Sequence, residues 1–283
     1  MSKTTRTWRS SYVDRFLLAL HRKTERVCMN DVNVYLSRWP FRRLAGDDAA
    51  ALAARLRQRN VTQAWTGTFD GIFHKDLSSA NTRLANDCHR HAADLLIPFG
   101  SVSPKLPDWQ EDLRRCHEEH KMPGIRLHPN YHGYDLKDPV VADLLHSAAA
   151  RGLLVQIVVS MEDERTQHPL MRVPPVDLAP LSDLVSNEPR LRVVILNSDP
   201  VHKAGQWEKL AAAGEVYFDI AMVEGVGGVA RLAEKISVQR VLFGSNYPMF
   251  YFESAFLKTR ESGFTDVQLK PILEENARRL LNR

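Results

Sequence analysis

The chain has 283 residues, 44% hydrophobic and 25% charged, with a formal net charge of +4. This is ordinary globular composition and enough length for one (β/α)8 barrel of about 250 residues; the basic residues are scattered rather than clustered, which argues against nucleic-acid binding. Cys28, Cys88 and Cys116 have no paired spacing, so neither a disulfide framework nor a CxxC zinc site is expected. No run approaches the roughly 18 apolar residues of a membrane span, and the basic opening Met1–Arg26 lacks the apolar core of a secretory signal. A cytoplasmic protein is the expectation.

Residues 1–25 read as an N-terminal helical extension. Phe16, Leu17 and Leu20 fall on one side of the amphipathic stretch Tyr12–Leu20, a face that suits the barrel bottom or a partner subunit, so a homodimer is a possible assembly. Residues 26–283 read as one domain. Strand-length apolar runs at Val27–Tyr35, Val61–Thr66, Leu96–Val102, Gly124–His128, Leu153–Val159, Arg192–Asn197, Glu215–Ile220 and Val241–Gly244 alternate with eight helical segments. The helices are Asp47–Arg59, Asp76–Ala93, Asp108–Glu119, Val140–Arg151, Leu178–Ser186, Gln206–Ala213, Val226–Lys235 and Asp266–Leu281. That alternation predicts an α/β fold with parallel strands closed into a (β/α)8 TIM barrel.

In such a barrel the site lies at the C-terminal strand ends, and side chains alternate inward and outward with period two. Phasing the strands on their polar residues turns Asn33, Tyr35, Arg126, His128, Gln156, Asn197, Asp199 and Asn246 toward one end of the interior. An ordinary barrel interior is filled by branched apolar side chains, and each buried polar group without a partner costs about 1–3 kcal/mol, so this set must satisfy itself, water or a ligand. Arg126 is expected to favour a carboxylate or phosphate. The Asp199–His202 pair has the makings of a general base. Tyr131, His132 and Tyr134 follow the fourth strand and are placed to cover a ligand. The pairs His89/His91 and His117/His120 sit on outer helices and read as solvated faces.

The stretch Arg240–Pro248, RVLFGSNYP, resembles the last barrel strand of the amidohydrolase-related family, where the pattern is roughly [I/V]LFGSDYP and the Asp is a metal ligand and catalytic base. Here that position is Asn246. Asp31-Val-Asn-Val-Tyr35 resembles the family's D-x-H-x-H opening with both histidines replaced, by Asn33 and Tyr35. Gly124-Ile-Arg-Leu-His-Pro129 matches its G-[FV]-[RK]-L-H-P strand, and Glu275-Asn-Ala277 resembles part of its closing helix. The resemblance implies a metallo-dependent-hydrolase barrel. With Asn33, Tyr35 and Asn246 neutral and Arg126 cationic, only His128 and Asp199 remain as good ligands, so no bound metal is expected, zinc or manganese being the candidates otherwise.

The expected activity is hydrolysis of a small anionic ester, lactone or amide, with decarboxylation as the lyase counterpart. His128 or His202 would move protons, Asp199 would activate water, and Asn246 would sit at the reacting centre. Asn33, Tyr35, Arg126, Gln156, Asn197 and Tyr247 would bind substrate. The alternative is a non-catalytic barrel that binds a ligand or acts as a scaffold.

Overall fold

The structure is a computed structural model, and it describes residues 28–198 and 205–282. The expected extension with its Tyr12–Leu20 stretch, and with it Asp199 and His202, lies outside the described residues.

The apolar runs form parallel strands β1 (Met29–Leu36), β2 (Val61–Thr68), β3 (Leu96–Pro98), β4 (Gly100–Ser101), β5 (Gly124–Leu127), β6 (Leu154–Val158), β7 (Arg192–Leu196), β8 (Glu215–Asp219) and β9 (Val241–Leu242). β3 and β4 are halves of the one strand expected over Leu96–Val102. Pro98 has no N–H to continue a ladder, and past it the Phe99 N–H still donates to Thr66 O at 2.9 Å. The remaining order, β1-β2-β3 and β4-β5-β6-β7-β8-β9, is sequential and parallel throughout. The ring closes where Val32 N donates to Phe243 O and Tyr35 N to Tyr247 O, both at 2.9 Å, beside a parallel Val34–Tyr247 bridge.

Position 244, two residues past β9, is glycine because a Cβ there would stand 2.5 Å from Asp219 Oδ2. Next to it, Asp31 fastens the first strand to the last. Its Oδ1 accepts from Ser245 N and Asn33 N, each at 3.0 Å, and its Oδ2 accepts from Ser245 Oγ. All eight residues of β1 are buried.

Helices cover the ring. The helix Ala49–Gln58 starts on Asp48, whose side chain accepts from Ala51 N, and turns Leu52, Ala53 and Leu56 inward. Two features depart from the sequence expectation. Phe252–Arg260 is a further helix that was not anticipated. The closing Asp266–Leu281 helix is interrupted by a π-turn over Pro271–Glu275, because Pro271 cannot donate to the i−4 carbonyl. Asn276 then pins the last helix to the barrel, donating to Val238 O and Val241 O at 2.9 and 2.8 Å. Among the described residues no helix is long and apolar enough to cross a membrane.

Candidate active site

Asn33 lies inside β1, Asn197 follows β7 and Asp219 ends β8, and the three bond to one another. Asn33 Nδ2 donates to Asn197 Oδ1 at 2.7 Å and to Asp219 Oδ2 at 2.8 Å. Asn197 N donates to Asp219 Oδ1 at 2.9 Å, and Asn197 Nδ2 to Ser160 O at 2.7 Å. Two oxygens flank the Asn33 nitrogen, which fixes the orientation of its amide. Asn33 Oδ1 therefore faces the other way, and it has no partner. Asn246 donates from Nδ2 to Met161 O at 3.1 Å and leaves its own Oδ1 unpartnered. Asn197 and Asn246 both hold left-handed backbone, φ 56° and 54°, a conformation that asparagine tolerates better than most side chains.

Tyr35 and His128 form the second part of the site. The phenol oxygen lies 3.0 Å from His128 Nε2, while His128 Nδ1 is buried with no partner. Tyr35 stacks on Phe69 at 4.9 Å, which holds the phenol in place.

Arg126 is turned into the barrel as the sequence suggested, but its partners differ from those expected. Its Nε donates to Gln156 Oε1 at 2.7 Å, Nη1 to Val34 O at 2.9 Å, and Nη2 to Trp65 O at 2.9 Å and Val32 O at 3.3 Å. Gln156 also donates to Val32 O at 2.8 Å, so both side chains are committed to the barrel wall. The guanidinium fits because position 67 is glycine: a Cβ there would meet Arg126 Nη1 at 2.7 Å. Four of the five Arg126 N–H donors and one of the two on Gln156 Nε2 are given to these wall acceptors. Tyr247 likewise points its hydroxyl toward Ala45 O and Arg55, at 3.1 and 3.2 Å, rather than toward the Asn33–Asp219 group.

Burial sets the protonation states. It raises Asp219 to about 6 against the bonds from Asn197 and Asn33, and Asp31 to about 7 against those from Ser245 and Asn33. It pushes the Tyr35 phenol up to about 12 and, with His132 and Arg126 nearby, holds His128 well below the usual imidazole range. Tyr35 is thus protonated and His128 neutral at pH 7. Asp219 and Asp31 were missed as site residues. The one signal for Asp219 was an acidic residue in phase at the end of the apolar run Glu215–Ile220.

A sequence model of the amidohydrolase family matches residues 32–283. The chain belongs to the amidohydrolase family. Solved structures similar to this chain include 5-carboxyvanillate decarboxylase from Sphingomonas paucimobilis, at TM-score 0.69 and 12% identity over 90% of this chain and 99% of the other. A dihydroxybenzoic acid decarboxylase from Polaromonas sp. JS666 matches at TM-score 0.66 and 12% identity over 90% and 98%. A protein from Acinetobacter baumannii named as a probable 2-pyrone-4,6-dicarboxylic acid hydrolase matches at 0.63 and 15% over 90% and 99%. At these identities the likeness is one of fold, and it confirms the TIM barrel. None of the curated proteins matches the chain.

These relatives correct one expectation. The Polaromonas enzyme and a 5-carboxyvanillate decarboxylase from Novosphingobium aromaticivorans are solved with bound manganese. A metal cofactor therefore belongs to this family, and the expectation of a metal-free site does not stand. Among the described residues no three His, Cys, Asp or Glu side chains gather. The mouth instead offers the Asp219 carboxylate and the unpartnered amide oxygens of Asn33 and Asn246. Oxygen donors of this kind fit a hard cation such as manganese and do not fit zinc.

Proposed function

We propose that this amidohydrolase is an enzyme acting at the C-terminal mouth of its barrel on a small organic acid. The reaction is either hydrolysis of an ester, lactone or amide, or loss of a carboxylate. One observation carries the reading: Asn33 Oδ1, Asn246 Oδ1 and His128 Nδ1 are buried at one end of the barrel with no protein partner. A network that served stability alone would close such atoms on one another, because each open one costs about 1–3 kcal/mol. The names of the structural relatives, a carboxyvanillate decarboxylase and a pyrone-dicarboxylic acid hydrolase, support a small carboxylated substrate.

Asn33 Oδ1 and Asn246 Oδ1 would offer open oxygens to the manganese, while Asp219, turned to the Asn33 Nδ2, would supply negative charge beside them. The ion, when bound, supplies Lewis-acid polarisation of a substrate oxygen and a water of lowered pKa. Asn33 and Asn197 fix the Asp219 carboxylate by two hydrogen bonds, one to each oxygen, and Asn33 is held by a further bond to Asn197, so the carboxylate's orientation is set before a ligand arrives. Asp31 ties the Asn33 backbone to the Ser245 turn and so holds Asn33 and Asn246 in register. Above them the Arg42–Glu162 ion pair at 2.9 Å links the loops after β1 and β6, with Trp39, Met161 and Met249 buried beneath solvent. Arg126 supports the wall and does not anchor the acid.

A second reading, a non-catalytic barrel, is favoured by that same commitment of Arg126 to backbone carbonyls and Gln156. The test is a screen of manganese-loaded protein against carboxylated lactones, esters and aryl carboxylates, with Asp219→Asn as control. Turnover that the control loses supports the enzyme. Ligands that bind without any turnover support the non-catalytic barrel.

A further inference from the structure

Two imidazoles at the mouth carry unpartnered ring nitrogens, and their neighbours fix which nitrogen holds the proton. The Tyr35 phenol has His128 Nε2 at 3.0 Å as its partner. If Nε2 carried a proton and donated to the phenol oxygen, the Tyr35 O–H would lack an acceptor. If Tyr35 donates to Nε2, the phenol is satisfied and the proton of the neutral ring sits on Nδ1. His132 is fixed in the opposite sense. Its Nε2 lies 3.0 Å from Gly71 O, a carbonyl that can only accept, so Nε2 bears the proton and Nδ1 is a bare acceptor. Burial disfavours the charged form of both rings.

Both Nδ1 atoms are buried without a partner. The rings meet edge to face, with centroids 5.9 Å apart and planes at 66°. One Nδ1 is a donor and the other an acceptor. A single O–H group has the complementary valence for the two, accepting from one nitrogen and donating to the other.

We infer that the His128–His132 pair forms a binding site for an O–H group, either a water or a ligand hydroxyl. The hydrogen-bond chain then runs in one direction, from Tyr35 through His128, the bound O–H and His132 to Gly71 O. Both histidines serve as neutral positioning groups, His128 as donor and His132 as acceptor, with neither acting as a charged acid. The tautomers rest on Tyr35 and Gly71 alone, whereas a ligand hydroxyl as occupant rests on the proposed active site, so the two can fail separately.

The experiment is a long-range nitrogen–proton correlation spectrum of uniformly 15N-labelled full-length protein at pH 7.5, with His128→Asn and His132→Asn used to assign the rings. The expected result is His128 with its proton on Nδ1 and His132 with its proton on Nε2. A proton on His128 Nε2, or an imidazolium at either position, overturns the inference even if both variants fold poorly, because wild-type protein is the sample read. Glycolate and methoxyacetate, which share a carboxylate and differ in the O–H, are then titrated in. Nδ1 shifts at both rings with glycolate alone assign a ligand hydroxyl. No shift with either, together with exchange between the His128 Nδ1 proton and water, assigns a bound water. Neither shift nor water exchange refutes the bridge.

Discussion

Replacing Arg126 by methionine separates the two roles that sequence and structure give this side chain. Methionine has nearly the length of arginine and fills most of its channel, so the main loss is hydrogen bonding. Four acceptors bond the guanidinium: Gln156 Oε1, Val34 O, Trp65 O and Val32 O. Val32 O keeps a donor in Gln156 Nε2, which leaves three acceptors short. At about 1–2 kcal/mol for each lost bond, the loss is roughly 3–6 kcal/mol, partly offset because a fully buried cation no longer has to be desolvated. A net destabilisation of about 3 kcal/mol is expected, or roughly 6–12 °C in melting temperature for a domain of this size. Urea unfolding followed by circular dichroism reads it, and ligand affinity is measured on the folded fraction. If the variant lies within about 1 kcal/mol of wild type and loses all affinity for organic acids, the structural assignment is refuted and Arg126 is a substrate anchor after all.

Gly67→Ala tests the same channel from outside. Its Cβ would meet Arg126 Nη1 at 2.7 Å and Cδ at 3.0 Å, so an overpacking loss of about 1–3 kcal/mol is expected in the same unfolding assay, and a neutral result sinks the argument. Asp31→Asn addresses pH. The native carboxyl titrates near 7 and the unfolded one near 3.8, so the native state holds its proton longer. The stability contributed by the Asp31 carboxyl is then fully present below about pH 4 and is lost as pH rises toward 7, by about 4 kcal/mol at most. Urea midpoints at pH 4.5 and 7.5 should therefore differ less in the variant; an equal difference means that Asp31 is ionised at all these pH values. Asn246→Asp adds a carboxylate at a position where φ is 54° and aspartate is tolerated. Manganese affinity by calorimetry should rise roughly tenfold or more through the added charge, and unchanged affinity removes position 246 from the proposed cation site.

Period-two alternation and the strand–helix rhythm made the barrel legible, along with the inward faces of Asn33, Tyr35, Arg126 and His128. Alternation gives direction but not depth. Arg126 lies two residues below His128, roughly 6–7 Å deeper at strand rise, where backbone carbonyls ring it, and nothing in one strand's sequence shows a ring built from its neighbours. Asp219 was overlooked for a related reason. Its role comes from Asn33 and Asn197, far away in the chain, and from the glycine at 244 that leaves room for its carboxylate. The helix Phe252–Arg260 was hidden by weak apolar contrast: its buried positions Phe252, Ala255 and Thr259 fall at helical spacing, but only Phe252 is large and apolar.

The bond between Asp31 and Ser245 spans 214 positions. A chain emerging from the ribosome exposes this aspartate almost at once, and its partner arrives only near the end of synthesis. Until then the first strand has no neighbour on one edge and its carboxylate stays in water. Closing so long a loop is entropically costly and slow. The barrel thus folds as a ring whose closing contacts are among its longest in sequence. The groups that shape the mouth, Asn33 on one side of that seam and Asn246 on the other, reach their places only when the seam shuts.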